Sequence, residues 1–180
     1  MPRITSTIKT IIGVLLILGG LFAFVSSPTQ HNEPIQNIEI NETTYYQVVK
    51  IVDGDTIDVN IDGKTERIRL IGIDTPETVD YDKPVECFGL EATTKAKELL
   101  LNKKVRLEAD PSQDERDAYD RLLRYVYRDD GLFFNEWMIA NGYAREFTFI
   151  YPYKYQTEFK QAQTQAQNNE LGLWESGVCD

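Results

Sequence analysis

Between Tyr45 and Ile73 apolar and polar residues change places in short runs, not at helical spacing. Tyr45–Val52 is rich in β-forming residues and stops at Asp53-Gly54. Thr56–Ile61 alternates as far as Asp62-Gly63, and Arg67–Ile73 alternates again, with Ile68, Leu70 and Gly72 opposite Arg69 and Ile71. A period of two places successive side chains on opposite faces, and Asp-Gly pairs favour tight reversals, so three strands in a meander are predicted. The period then switches: Ala92, Ala96, Leu99 and Leu100 share one helical face within residues 89–101. Val105–Ala109 and Leu122–Tyr127 read as a fourth and a fifth strand, the latter stopped by Asp129-Asp130-Gly131. Phe134, Met138 and Ile139 mark a short helix closed by Gly142, and Tyr155, Phe159, Ala162 and Ala166 a last amphipathic helix ended by Gly172. Five short strands with about three helices predict an α+β domain, a small five-stranded closed barrel of the OB type.

Ahead of this domain the pattern is different. Arg3 and Lys9 precede an apolar run from Ile11 to Val25, which has the layout of an export segment and falls short of the roughly 20 residues of a spanning helix. The expected organisation is a signal peptide or membrane anchor over 1–27, a polar linker carrying Pro28 and Pro34 over 28–43, and the folded domain over 44–180. Whether the segment is cleaved or holds the chain to a membrane through residues 8–27, the domain is expected outside the cytoplasm.

Charge narrows the chemistry. The chain has 19 Lys+Arg against 29 Asp+Glu, a net of −10; without residues 1–27, which hold Arg3 and Lys9 and no acid, it is 17 against 29, or −12. That balance argues against a protein that coats polyanions and leaves room for one that grips one or two phosphates with a local cationic site or a bound metal ion. The single histidine, His31, lies in the linker, so a histidine base or histidine metal ligands are excluded from the domain. Carboxylates and arginines are left. Asp55, Asp74 and Glu77 sit near strand ends that a meander brings close, and oxygen ligands of this kind suit Ca²⁺ or Mg²⁺. Arg69 and Arg121 add planar groups able to grip phosphate oxygens in two places.

Five segments occur in order: Val52-Asp53-Gly54-Asp55-Thr56; Arg69-Leu70-Ile71-Gly72-Ile73-Asp74-Thr75-Pro76-Glu77; Phe88-Gly89-Leu90-Glu91-Ala92; Tyr119-Asp120-Arg121; and Leu171-Gly172-Leu173-Trp174. Together they resemble the successive motifs of the staphylococcal nuclease (thermonuclease-like) family, over about residues 44–175. The resemblance implies an enzyme that hydrolyses phosphodiester bonds of DNA and RNA and leaves 3′-phosphate ends. It further implies Ca²⁺ held by Asp55, Asp74 and the Thr75 carbonyl. Glu77 would hold or deprotonate the attacking water, and Arg69 and Arg121 would stabilise the five-coordinate transition state. Tyr119, Tyr151 and Tyr153 are the candidates for substrate binding, with barrel packing the competing role for aromatics between Phe147 and Tyr155. The sequence departs from the family at Ala118, where members often carry a lysine, and in its acidic balance. No obligate protein partner is implied. The competing readings are a non-catalytic nucleic-acid or protein-binding module on the same fold, and a calcium-stabilised envelope domain that leaves the two arginines without a task.

Two cysteines, Cys87 and Cys179, complete the inventory. An exported domain with an even count makes a bridge between them the expectation, tying the C-terminal tail to the start of the first helix.

Overall fold

The computed structural model describes residues 44–78 and 84–179. The expected export segment over 1–27 and linker over 28–43 lie outside the described residues. Among the described residues no helix is long and apolar enough to cross a membrane.

Three strands, β1 (Tyr46–Ile51), β2 (Thr56–Ile61) and β3 (Lys64–Leu70), form the meander. Two later strands, β5 (Lys104–Glu108) and β6 (Leu122–Arg128), close it into a barrel in the order β1-β2-β3-β6-β5. Antiparallel pairing of β1 with β5 shuts one seam; parallel pairing of β3 with β6, Ile68 opposite Leu122, shuts the other. Closure leaves no sheet edge, and the inward positions Val48, Ile57, Val59, Ile68, Leu70 and Val105 are wholly or almost wholly buried.

Helix α1 (Gly89–Leu100) turns Ala92, Ala96 and Leu100 to the core, as its spacing predicts. Helices α2 (Phe134–Ala140) and α3 (Gln156–Asn168) pack on each other; α2 buries Phe134, Met138 and Ile139, and α3 buries Phe159, Ala162 and Ala166. Asn135 is fully buried between barrel and helix layer. Its Oδ1 accepts from the Val126 N–H at 2.9 Å and its Nδ2 donates to the Ile71 carbonyl at 2.9 Å, so both faces of a polar side chain in the core are satisfied.

Two sequence expectations are corrected. The third strand does not run on to Ile73. It ends at Leu70, and Gly72 takes φ 80°, a left-handed conformation that a chiral residue resists; the ring of Tyr153 also leaves no room there, since a Cβ would lie 2.7 Å from it. Beyond this turn a short strand β4 (Ile73–Asp74) pairs instead with β7 (Arg145–Glu146). The last helix ends at Asn168, before Glu170 at φ 52°, and not at Gly172. Gly172 serves a backbone crossing: the Leu173 N–H donates to the Gly142 carbonyl at 2.8 Å, and a Cβ on Gly172 would stand 2.4 Å from that oxygen. Cys87 and Cys179 are bridged, with Cα atoms 5.7 Å apart, as expected.

Candidate active site

The ends of β2, β3 and β4 meet where β6 begins. Asp55 precedes β2, and its carbonyl accepts from the Leu70 N–H at 2.9 Å, which carries the β2–β3 ladder one step further. The Asp55 carboxylate is buried. Its Oδ2 accepts from the Thr75 N–H at 2.9 Å and the Thr75 hydroxyl at 3.2 Å, and its Oδ1 from the Thr56 hydroxyl at 3.0 Å. These bonds tie the segment after β4 to the head of β2. Gly54 makes the approach possible, because a Cβ there would lie 2.7 Å from the methyl carbon of Thr75.

Arg69, opposite Thr56 on β3, braces the same junction. Its Nη1 donates to the carbonyls of Leu70 (2.9 Å) and Ile73 (2.7 Å), its Nη2 to Asp74 Oδ1 (3.0 Å), and its Nε lies 3.3 Å from Asp55 Oδ1. Arg121 enters from the start of β6. Asp117 holds it by two bonds, Oδ1 accepting the Arg121 backbone N–H at 3.0 Å and Oδ2 accepting Nε at 2.6 Å. The Nη groups of Arg121 have no protein acceptor among the described residues, and its guanidinium carbon stands 5.2 Å from the centre of the Tyr119 ring. Glu77 presents one oxygen, Oε1, to the Thr78 N–H at 2.9 Å.

Asp53, Asp55, Arg69, Asp74, Thr75, Glu77, Tyr119 and Arg121 thus line one cavity of about 350 Å³. All six residues to which the resemblance gives a metal-binding or catalytic role, Asp55, Arg69, Asp74, Thr75, Glu77 and Arg121, line this cavity. The substrate-binding candidates separate. Tyr119 is 81% exposed at the rim. Tyr151 is exposed but lies outside the lining of this cavity. Tyr153 is corrected to a packing residue: it is 6% exposed, presses on Gly72 and Phe159, and its hydroxyl donates to Glu146 Oε1 at 3.0 Å. Phe147 and Phe149, just after β7, are exposed beside Tyr151, so of the two tyrosines that the sequence suggests there Tyr151 presents its ring to solvent and Tyr153 does not.

Two further residues escape a sequence reading. Asp53 looks like half of an Asp-Gly turn, and it does accept the Asp55 N–H at 3.0 Å. It is also buried in the cavity wall, and burial together with the Asp55 charge pushes its carboxyl up to about 7. Asp117 could be found only from its turn pattern, an aspartate whose Oδ1 takes the N–H groups of Tyr119 and Arg121. Burial alone would raise its pKa, but these bonds and the Arg121 guanidinium hold it below the usual carboxylate range.

Four carboxylates face two guanidiniums in this cavity, a formal excess of two negative charges with every acid ionised and of one with Asp53 protonated. Asp74 shows the strain of that excess: burial and then the Asp55 charge raise its pKa, although Arg69 and Arg145 oppose them. Hard oxygen donors with a surplus of negative charge suit a divalent cation of the Ca²⁺ or Mg²⁺ kind. Among the described residues no three acidic, histidine or cysteine side chains are grouped to hold a metal ion, so side-chain donors alone do not make a cage here.

A family model described as staphylococcal nuclease homologue matches residues 67–176. The chain belongs to the staphylococcal nuclease family. Within this family it is similar to the thermonuclease of Staphylococcus hyicus, 40% identical over 174 residues that span 97% of this chain and 99% of the relative. It is also similar to the thermonuclease of Staphylococcus intermedius, 42% identical over 130 residues, 72% of this chain and 76% of that one. The SPbeta prophage-derived endonuclease YokF of Bacillus subtilis is 39% identical over 127 residues, 69% of this chain but 42% of its own length. The family match thus covers Arg69, Asp74, Thr75, Glu77 and Arg121, while Asp53 and Asp55 precede it.

Proposed function

We propose that this protein is an exported, Ca²⁺-dependent endonuclease that hydrolyses phosphodiester bonds of DNA and RNA to leave 3′-phosphate ends. The observation that carries the reading is the single cavity in which two arginines face a carboxylate cluster with surplus charge. Asp55, Asp74 and the Thr75 carbonyl would hold the cation, which when bound supplies positive charge to a phosphate oxygen. Arg121 turns its open Nη edge to the phosphate, and Arg69 adds the one Nη2 hydrogen it does not give to protein acceptors. Both favour the transition state, where charge gathers on the phosphate oxygens. Glu77 positions a water molecule and takes its proton. The water oxygen bonds to phosphorus, the bond to the 5′ oxygen breaks, and that oxygen takes a proton from solvent while Glu77 releases its own to solvent, so the phosphate stays on the 3′ side. Tyr119 and the exposed rings of Phe147, Phe149 and Tyr151 offer faces for bases. The thermonuclease names of the two staphylococcal relatives support the reaction class. The disulfide supports a compartment outside the cytoplasm, reached through the export or anchor segment read in residues 1–27.

The test is incubation with single-stranded DNA and RNA in Ca²⁺ or in chelator, followed by end analysis of the products. Cleavage only with Ca²⁺, giving 3′-phosphates, is expected. Full turnover in chelator defeats the metal assignment, 5′-phosphate products defeat the stated bond, and binding without cleavage in Ca²⁺ makes the domain a binding module.

A further inference from the structure

A second cleft, of about 380 Å³, lies beside the first and is lined by Asp58, Lys64, Thr65, Glu66, Arg67, Arg116, Tyr119 and Asp120. Tyr119 is common to both clefts, and its 81% exposed ring stands at their border. Arg67 and Arg69 sit two apart on β3, on the outward side of a strand whose Ile68 and Leu70 point into the barrel. Two residues of strand advance by about 6.7 Å, comparable to the step between successive phosphates in an extended single strand. One row of β3 therefore offers a guanidinium at the reaction cavity and another one nucleotide away.

The cations of the second cleft are held in place with donors to spare. Arg67 gives Nε (2.8 Å) and Nη2 (3.1 Å) to the two oxygens of Asp58, its cross-strand partner, and keeps Nη1 unpaired among the described residues. Arg116 donates from Nη2 to Glu66 (2.9 Å) and from Nη1 to the Asp120 carbonyl (2.7 Å), which fixes the loop before β6 against β3. Lys64, with a side chain 76% exposed, pairs with the same Glu66. Three cations against three acids make this cleft neutral, in a chain whose net charge is −10. The acids of these pairs, Asp58 and Glu66, are nearly buried and hold the cations in place, while Arg67, Arg116 and Lys64 stay about a third or more exposed and keep hydrogens that a phosphate can share.

We propose that this cleft is a subsite for the nucleotide next to the scissile phosphate of a single strand, its phosphate on Arg67, Arg116 and Lys64 and its base against Tyr119. It rests on the nuclease reading and extends it: the enzyme takes oligonucleotides by at least two consecutive phosphates. The neighbouring residue Ala118 contributes no charge, so the cationic grip beyond Tyr119 comes from β3 and from Arg116.

The experiment compares a dinucleotide with one phosphodiester and a single-stranded decamer, using the full chain. The main variant combines Arg67→Gln with Asp58→Asn, which keeps a hydrogen-bonding pair while removing both charges, and adds Arg116→Gln. The expected result is a decamer KM raised about tenfold with kcat unchanged, unaltered dinucleotide kinetics, and a salt slope of decamer binding shallower by about 0.7 for each phosphate no longer neutralised. An unchanged decamer KM, or an equal loss on both substrates, overturns the subsite. Should the combined variant fail to fold, Lys64→Ala at its exposed position should still raise decamer KM about threefold and leave the dinucleotide alone; no change again overturns it. If the unaltered protein cleaves neither substrate, the nuclease reading fails by itself. Anisotropy of a labelled decamer then decides the subsite, a tenfold weaker Kd in the variant supporting it and an equal Kd, or no binding, overturning it.

Discussion

Arg69 and Arg121 differ in how much of each guanidinium the fold keeps for itself. Arg69 commits nearly all its hydrogens to Leu70, Ile73, Asp55 and Asp74, so it builds the cavity as well as serving it. Arg121 is held by its Nε and backbone alone, and its outer edge faces the cavity. Lysine cannot reproduce a planar fork at either position. Arg121→Lys is expected to lower kcat on the order of 100-fold, about 3 kcal/mol of transition-state stabilisation, with KM and Tm nearly unchanged. Arg69→Lys should lower kcat as much and also lower Tm, because two carbonyls lose their donor. Steady-state kinetics and thermal melts on both variants check the contrast; a KM effect alone in Arg121→Lys would make that residue a binder. Glu77→Gln should cost similar rate while leaving Ca²⁺ binding intact, read by calorimetry, if its role lies with the water. Gly54→Ala should be as damaging to rate as any of these, because a new Cβ pushes Thr75 off the Asp55 carboxylate. What a motif makes legible at this scale is residue type and order. Asp53 stayed hidden because a turn explains an Asp-Gly pair completely, and Asp117 because it acts through backbone N–H groups. Tyr153 misled because a tyrosine hydroxyl can serve Glu146 from inside the core, while Phe147 and Phe149 join Tyr151 among the exposed rings.

Elements were legible wherever their period is set locally. The strands of the meander and all three helices appear where alternation or helical spacing places them, to within a few residues. The misjudged boundary at Gly72 has a tertiary cause. Alternation from Arg69 to Ile73 reads as continuous strand, yet Ile73–Asp74 finds its partner in Arg145–Glu146, far along the chain. The parallel β3–β6 seam is likewise invisible to any local pattern, although it is what carries Arg121 to the cavity. A buried polar node holds the elements behind that seam. Asp110 accepts from the Tyr125 hydroxyl at 2.7 Å, the Lys154 N–H at 2.8 Å, and the Ser112 N–H and hydroxyl at 2.9 and 2.8 Å, joining β6 to the entry of α3. Burial alone would raise its pKa, but these bonds outweigh it and hold the carboxyl below its ordinary value. A depressed folded pKa means stability that is present above the unfolded value near 3.9 and lost as pH falls through the folded one. Asp110→Asn should therefore lose about 2 kcal/mol at neutral pH, because an amide turns a donor toward existing donors. It should also show a flatter decline of stability below about pH 4. Urea titrations of both proteins from pH 7 to pH 2 measure this, and parallel pH profiles would remove Asp110 from the account.

At the scale of the whole molecule, the Cys87–Cys179 bridge joins the C-terminal tail to the start of α1, across a sequence separation of 92 residues. Loop closure of that length should stabilise by roughly 4–5 kcal/mol through the unfolded chain. The position adds a second consequence. Glu86, next to Cys87, donates its N–H to the Glu77 carbonyl at 2.9 Å, and its Oε2 accepts the Glu77 N–H at 3.2 Å. Gly89 then packs against the carbonyls of Pro76 and Glu77, where a Cβ would stand at 3.0 and 3.2 Å. The bridge therefore anchors the backbone against which Glu77 is set, while Asp55, Arg69 and Arg121 are held by the barrel and do not depend on it. Cys87→Ser with Cys179→Ser should unfold at lower urea, by the amount given above, and should lose kcat several-fold at temperatures where it remains folded. Metal affinity should stay near that of the parent, since Asp55, Asp74 and Thr75 hang on β2 and β4. Denaturation, kinetics and calcium titration on the one variant separate these effects. A stability loss with kcat unchanged would show that the barrel alone positions Glu77. An equal fall in metal affinity would show instead that the tail supports the entire cavity and not just its water-handling side.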